Sequence, residues 1–99
     1  MPSRVGEVHT VAASASTYLQ RLCKHFGKKI DVTYTEDVGH AHFPFGYCRM
    51  VAEDQRLTFE CRAADHEGMQ RMQHVIDQHV GMFTKRTPLQ VTWHEKSAP

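Results

Sequence analysis

Ninety-nine residues suit one domain and hardly two. A hydrophobic share of 40% and a charged share of 23% are those of a globular chain that builds its core without metal or disulfide staples. A formal net charge of +1 argues against a nucleic-acid binder or a polybasic membrane anchor, and no apolar run is long enough to span a bilayer.

The start, Met1-Pro2-Ser3-Arg4, leads into mixed polar sequence with no apolar signal core. Three cysteines without close pairing make no disulfide framework, so a reducing cytoplasm is expected. Residues 1–3 and 96–99 are expected to be loose ends of a single domain over 4–95.

Val5 to Val11 alternates in β-branched residues and predicts a strand. Ser14 to Phe26 then has helical period, with Ala15, Leu19, Leu22, Cys23 and Phe26 recurring at steps of three and four. Ser14 or Ser16 can cap its start and Gly27 can end it. Ile30 to Glu36 alternates again, with Ile30, Val32 and Tyr34 on one face. Asp37-Val38-Gly39 is expected to turn the chain into a strand from His40 to Phe43. Phe43-Pro44-Phe45-Gly46 then turns into a strand from Tyr47 to Ala52. Glu53 to Arg56 turns into a strand from Leu57 to Ala63. Asp65 caps a second helix running to about Phe83, with Met69, Met72, Ile76, Val80 and Phe83 as its apolar stripe. Thr87-Pro88 breaks the chain, and Leu89, Val91 and Trp93 alternate in a last strand.

The middle hairpin fixes its own register. A tight turn centred on Asp54 and Gln55 pairs residues whose numbers sum to 109. Cys48 then faces Cys61, Met50 faces Phe59 and Ala52 faces Leu57, all on one apolar face. The other face pairs Tyr47 with Arg62, Arg49 with Glu60 and Val51 with Thr58. The preceding hairpin puts Ala41 and Phe43 on the apolar face and turns His40 and His42 outward. The fold class is therefore α+β, a two-layer sandwich in the order β-α-β-β-β-β-α-β. Two helices pack on one face of a mainly antiparallel sheet, with the strand order left open.

Tyr18-Leu19-Gln20-Arg21-Leu22-Cys23-Lys24-His25-Phe26, followed by His42-Phe43-Pro44-Phe45-Gly46-Tyr47-Cys48, resembles a family of small bacterial proteins known as domain of unknown function 2218. The resemblance runs from about Arg4 to Glu95. It implies a bacterial domain with no established activity. It also implies an iron-handling context, because related domains occur with flavin-dependent siderophore-reductase-like proteins and iron transporters. Many relatives carry a second histidine two or three residues after Cys-Lys-His. This chain reads Phe26-Gly27-Lys28-Lys29 there, which weakens any metal role for that helix end.

Four constellations could carry chemistry. Cys23, Cys48, Cys61 and His79 all lie on inward faces and could hold zinc, but buried thiols more often pack as small hydrophobes, and zinc sites usually show closely spaced ligand pairs. A Cys48–Cys61 disulfide is not expected, because directly opposed strand residues hold their Cβ atoms too far apart. His40 and His42 share a strand face about 6.5–7 Å apart and could chelate a transition metal with His94 or Glu60, although solvated imidazoles are the simpler reading. Cys23 and His25 point in different directions from one helix and make no nucleophile pair. Arg21, Lys24, Lys28 and Lys29, with Lys85 and Arg86, form a basic patch without any phosphate-loop or RNA-binding signature. Met69, Met72 and Met82 read as packing rather than as a soft binding surface. Phe45, beside Pro44, is either a partner anchor or a side chain tucked over the sheet edge.

These residues make no nucleophile, base and acid set, so the sequence leans away from an enzyme. The expected function is an accessory or binding domain acting through the uncovered sheet face. His40, His42, Tyr47, Arg49, Glu60 and Arg62 would contact a protein partner or a second copy of the chain. No cofactor is expected. Metal or ferric-siderophore handling is the first alternative, a small enzyme the second.

Overall fold

The computed structural model describes residues 3–10, 14–83 and 91–95. In chain order these form β1 (Ser3–His9), α1 (Ala15–Phe26), β2 (Asp31–Tyr34), β3 (Val38–Phe43), β4 (Gly46–Glu53), β5 (Arg56–Ala63), α2 (His66–Phe83) and β6 (Thr92–Glu95). The six strands make one antiparallel sheet in the order β2-β3-β4-β5-β1-β6. Both helices pack on the same side of it, α1 over β2 to β5 and α2 over β4 and β5. This is the expected two-layer α+β arrangement in the expected element order. Among the described residues, no helix is long and apolar enough to cross a membrane.

Local chemistry sets the helix ends. Ser14 Oγ accepts from the Thr17 amide at 3.3 Å and caps α1. Gly27 follows the helix in a right-handed conformation, its amide bonded to the Cys23 carbonyl at 2.9 Å. Asp65 Oδ1 accepts from the Gly68 amide at 2.8 Å and caps α2. The β4–β5 turn is also bound into the fold. Asp54 takes φ 50, a left-handed conformation that aspartate tolerates, and its carbonyl accepts from the Ala15 amide at 3.0 Å.

The register from β3 to β5 is the expected one. Cys48 pairs with Cys61, Met50 with Phe59 and Ala52 with Leu57, while Ala41 pairs with Cys48. Ala41, Cys48, Met50, Leu57, Phe59 and Cys61 are all buried under the helices. Leu19, Leu22, Cys23 and Phe26 of α1, with Met69, Met72, Ile76 and Val80 of α2, close the core from above.

Several boundaries differ from the sequence reading. The first strand begins at Ser3, where a loose terminus was expected, and ends at His9; Val11 lies outside the described residues. The second strand is shorter than Ile30 to Glu36, covering Asp31–Tyr34, and Tyr34 is 43% exposed at the sheet edge. The following turn is not at Asp37-Val38-Gly39. Thr35 Oγ1 accepts from the amides of Asp37 at 3.3 Å and Val38 at 3.2 Å, so the chain turns earlier and Val38 and Gly39 already belong to β3. The last strand is Thr92–Glu95 rather than one starting at Leu89, which lies outside the described residues, as do Thr87 and Pro88.

Two glycines permit the close packing of the layers. Gly39 lies under α1, where an added Cβ would stand 2.5 Å from Cys23 Sγ. An added Cβ at Gly46 would overlap the Arg62 carbonyl oxygen and the Met72 methyl group. Neither glycine has positive φ, so what each position requires is the absence of a side chain.

Candidate functional site

Antiparallel pairing lines up residues of one face in rows across the sheet. On the helix-free side one row runs Thr33, His40, Arg49, Glu60, Val5, His94, and the next runs Asp31, His42, Tyr47, Arg62, Ser3. All six residues expected on this surface therefore stand together on it. Tyr47 is the hub. Its hydroxyl lies 2.5 Å from His40 Nδ1, a short contact in which either partner can donate. Its ring is 5.2 Å from that of His42 and 6.0 Å from that of His40, nearly parallel to the latter at 15°.

Beside this trio, Arg49 Nη1 donates to both carboxylate oxygens of Glu60, at 3.2 and 3.3 Å. With about 40% of each side chain exposed, that pair holds geometry more than it adds stability. Arg62 is exposed and, among the described residues, has no ion-pair partner. A hollow of about 210 Å³ opens here, lined in part by Ser3, Tyr47, Arg49, Glu60 and Arg62. Within the hollow two guanidinium groups stand against the one carboxylate of Glu60, a local positive surplus, while Asp31, Glu7 and Glu53 lie elsewhere on the same face. Ser3 entered the site unforeseen, since it was expected in a loose end.

The proposed metal sets do not assemble. Among the described residues no three His, Cys, Asp or Glu side chains converge where they could hold a metal ion. His94 shares the face of His40 but lies on β6, four strand steps or about 19 Å across the sheet. Glu60 is two strands from His40 and occupied by Arg49. The three cysteines are free and buried, and Cys61 Sγ donates to Cys48 Sγ at 3.5 Å. Burial pushes the Cys23 thiol up to about 12. The hydrogen bond with Cys61, together with burial, holds Cys48 well above the ordinary thiol range. Cys23 and Cys48 are thus held as thiols, and all three cysteines pack in the core as small apolar groups. His79 points away from them. Its Nδ1 donates to the Val75 carbonyl at 2.7 Å and its ring packs 4.7 Å from Phe26.

Arg21, Lys24, Lys28 and Lys29 are exposed at the end of α1, on the helix layer; Lys85 and Arg86 lie outside the described residues. His25 does not simply face solvent. It is half-buried, with its ring 4.8 Å from that of His79, and desolvation, with His79, Lys28 and Lys29 nearby, lowers its pKa.

This places the two recognisable sequence segments against each other. Phe26 stands edge-on to Phe43 at 5.4 Å, and Phe43 stacks on Phe45 at 5.4 Å. Phe45 is thus tucked over the sheet edge, half-buried against the core. A cleft of about 260 Å³ runs between the end of α1, the β3–β4 turn and α2. No local pattern marks it, because Val75 and His79 come from a helix some 50 residues beyond His25. The co-occurrence of the two segments was the only available signal.

Residues 6–94 match a family model described as an uncharacterized protein conserved in bacteria, DUF2218. The solved structure "NMR structure of PA4090 from Pseudomonas aeruginosa" superposes with a TM-score of 0.77 at 26% identity, covering 95% of this chain and 96% of that one. No curated protein matches the sequence.

Proposed function

We propose that this chain, which belongs to the DUF2218 family of bacterial proteins, is a non-enzymatic binding domain whose helix-free sheet face engages an acidic partner protein. One observation carries the reading. The face gathers Tyr47, Arg49 and Arg62 around a hollow, and Arg62 has no ion-pair partner among the described residues. An aromatic hub flanked by arginines is the composition that interface anchors favour. A partner carboxylate entering the hollow would meet Arg62 in a charge-assisted, forked geometry while Tyr47 supplies apolar contact.

The size of the face defines the kind of complex. Five strand gaps span about 24 Å and an eight-residue strand about 23 Å, a footprint of roughly 550 Å². That is below the roughly 800 Å² per partner of a standard stable interface, which fits a transient complex. Val5, Val38 and Val51 on the same face are half-buried and supply its modest apolar content.

The test compares Tyr47→Ala and Arg62→Glu with Lys24→Glu on the helix layer. Tagged protein is recovered from bacterial cells after cross-linking, and its own association is followed by sedimentation velocity. Loss of the cross-linked complex in both face variants, with Lys24→Glu unaffected and all melting temperatures retained, supports the reading. Retention in the face variants with loss in Lys24→Glu contradicts it.

A further inference from the structure

We infer that the cleft between the end of α1, the β3–β4 turn and α2 is a second binding site, for a small aromatic carboxylate. It lies mainly on the helix layer, so it stands or falls independently of the partner surface on the sheet.

The cleft is built from rings. Phe45, Phe43, Phe26, His79 and His25 form a continuous ladder in which successive centroids are 4.7 to 5.4 Å apart. The contacts range from stacked at 19° to edge-on at 75°. These are the separations and tilts that aromatic pairs prefer, so a flat aromatic guest would extend an arrangement already present. Phe43 and Phe45 are only half-buried, leaving ring surface to be covered. The β3–β4 turn packs closely on α2, where the Phe45 carbonyl comes within 3.0 Å of where a Cβ at Gly68 would stand. The ring contacts of the apolar wall are already made without a ligand.

Charge supplies the other half of the argument. The rings lie inside, while Lys29 stands exposed at the rim. Desolvation, then His79, then the nearby Lys28 and Lys29 lower the His25 pKa, in keeping with two ammonium groups standing close to the mouth. Desolvation lowers the His25 pKa and so favours its neutral form, and the cleft sets an aromatic floor beneath a cationic rim. Among the described residues no carboxylate lines it. Asp31 lines the adjoining hollow, which shares Lys29, Ile30, Phe43 and Pro44 with this cleft. His79 uses Nδ1 for the Val75 carbonyl and, among the described residues, makes no hydrogen bond through Nε2, which remains open to a guest.

Shape limits the size of the guest. A volume of about 260 Å³ is slightly under the roughly 300 Å³ at which drug-sized sites begin. One or two fused rings with a single carboxylate fit. At the ligand efficiency usual for drug-sized compounds, a guest of about 13 non-hydrogen atoms would bind with a dissociation constant on the order of 1 mM.

The experiment titrates isotope-labelled protein with 2-naphthoate, and separately with the neutral 2-naphthalenemethanol, while recording amide and ring NMR shifts. Saturable one-to-one shifts centred on Phe26, Phe43, Phe45, Val75 and His79 are expected, with naphthoate the tighter ligand. Lys29→Gln, an exposed change that leaves the fold alone, should weaken naphthoate about two- to fivefold and leave the alcohol unchanged. The inference is overturned if neither probe gives saturable shifts there, if the shifts centre elsewhere, if the alcohol binds as tightly as naphthoate, or if Lys29→Gln changes neither affinity.

Discussion

Adding a single methyl group at Gly39 tests how α1 is seated on the sheet. The new Cβ would lie 2.5 Å from Cys23 Sγ, where ordinary contact needs 3.4–4 Å, so sulfur or helix must yield by about 1 Å. Overpacking of this kind costs about 1–3 kcal/mol. Gly39 has no positive φ, so alanine accepts its backbone conformation and recovers about 0.4–1 kcal/mol by restricting the unfolded chain. The net expectation for Gly39→Ala is a loss of about 1–2 kcal/mol. Cys23→Ala removes one buried atom and should cost about 0.5–1.5 kcal/mol. The double variant puts the new methyl into the space the sulfur vacates. It should be less destabilised than the sum of the two by about 1 kcal/mol. Urea denaturation reads this as a shift in midpoint at constant slope. Effects that add to within about 0.3 kcal/mol would show that Cys23 and Gly39 are not in contact.

Gly46→Ala should behave differently. Its Cβ would meet the Arg62 carbonyl as well as the Met72 methyl, and backbone cannot be trimmed away. A loss of about 2–3 kcal/mol is expected, with no rescue by Met72→Ala in the same denaturation assay. At high pH the Cys23 thiol becomes a stability term. Its pKa rises from 9.0 to about 12 on folding, so the unfolded state releases the proton first. Its contribution is complete below pH 9 and lost as pH rises toward 12, with a slope of up to about 1.4 kcal/mol per pH unit. Cys23→Ala should lose stability less steeply over that window; an unchanged slope would refute the assignment. A double-mutant cycle on Arg49 and Glu60 should return a coupling of only about 0.2–1 kcal/mol, given the exposure of both side chains. A coupling of several kcal/mol would mean the pair is far drier than described.

What the sequence disclosed was whatever local periodicity controls. Cys48, Met50, Ala52, Leu57, Phe59 and Cys61 alternate with neighbours that are polar apart from Val51, so a slip of one residue would have buried Arg49 and Glu60. The same parity turned His40 and His42 outward. The turn before β3 was misplaced for a tertiary reason. Val38-Gly39 after an aspartate has turn chemistry, yet Gly39 lies within a strand, where the Cys23 sulfur leaves no room for a side chain. Strand order was not legible, because β1 pairs with β5 and β6 across long stretches of chain that no short-range pattern records. The cleft was hidden for the same reason, since His25 and His79 meet only when both helices are docked.

The most direct measurement concerns the face itself. A photoreactive amino acid is placed at position 42 on the helix-free side, or at position 24 on the helix layer, and the cells are irradiated. Both positions are exposed, so neither substitution disturbs the core. Cross-links to a second copy or to another protein from position 42, and none from position 24, are the expected result. Cross-links from position 24 alone would place the working surface on the opposite layer.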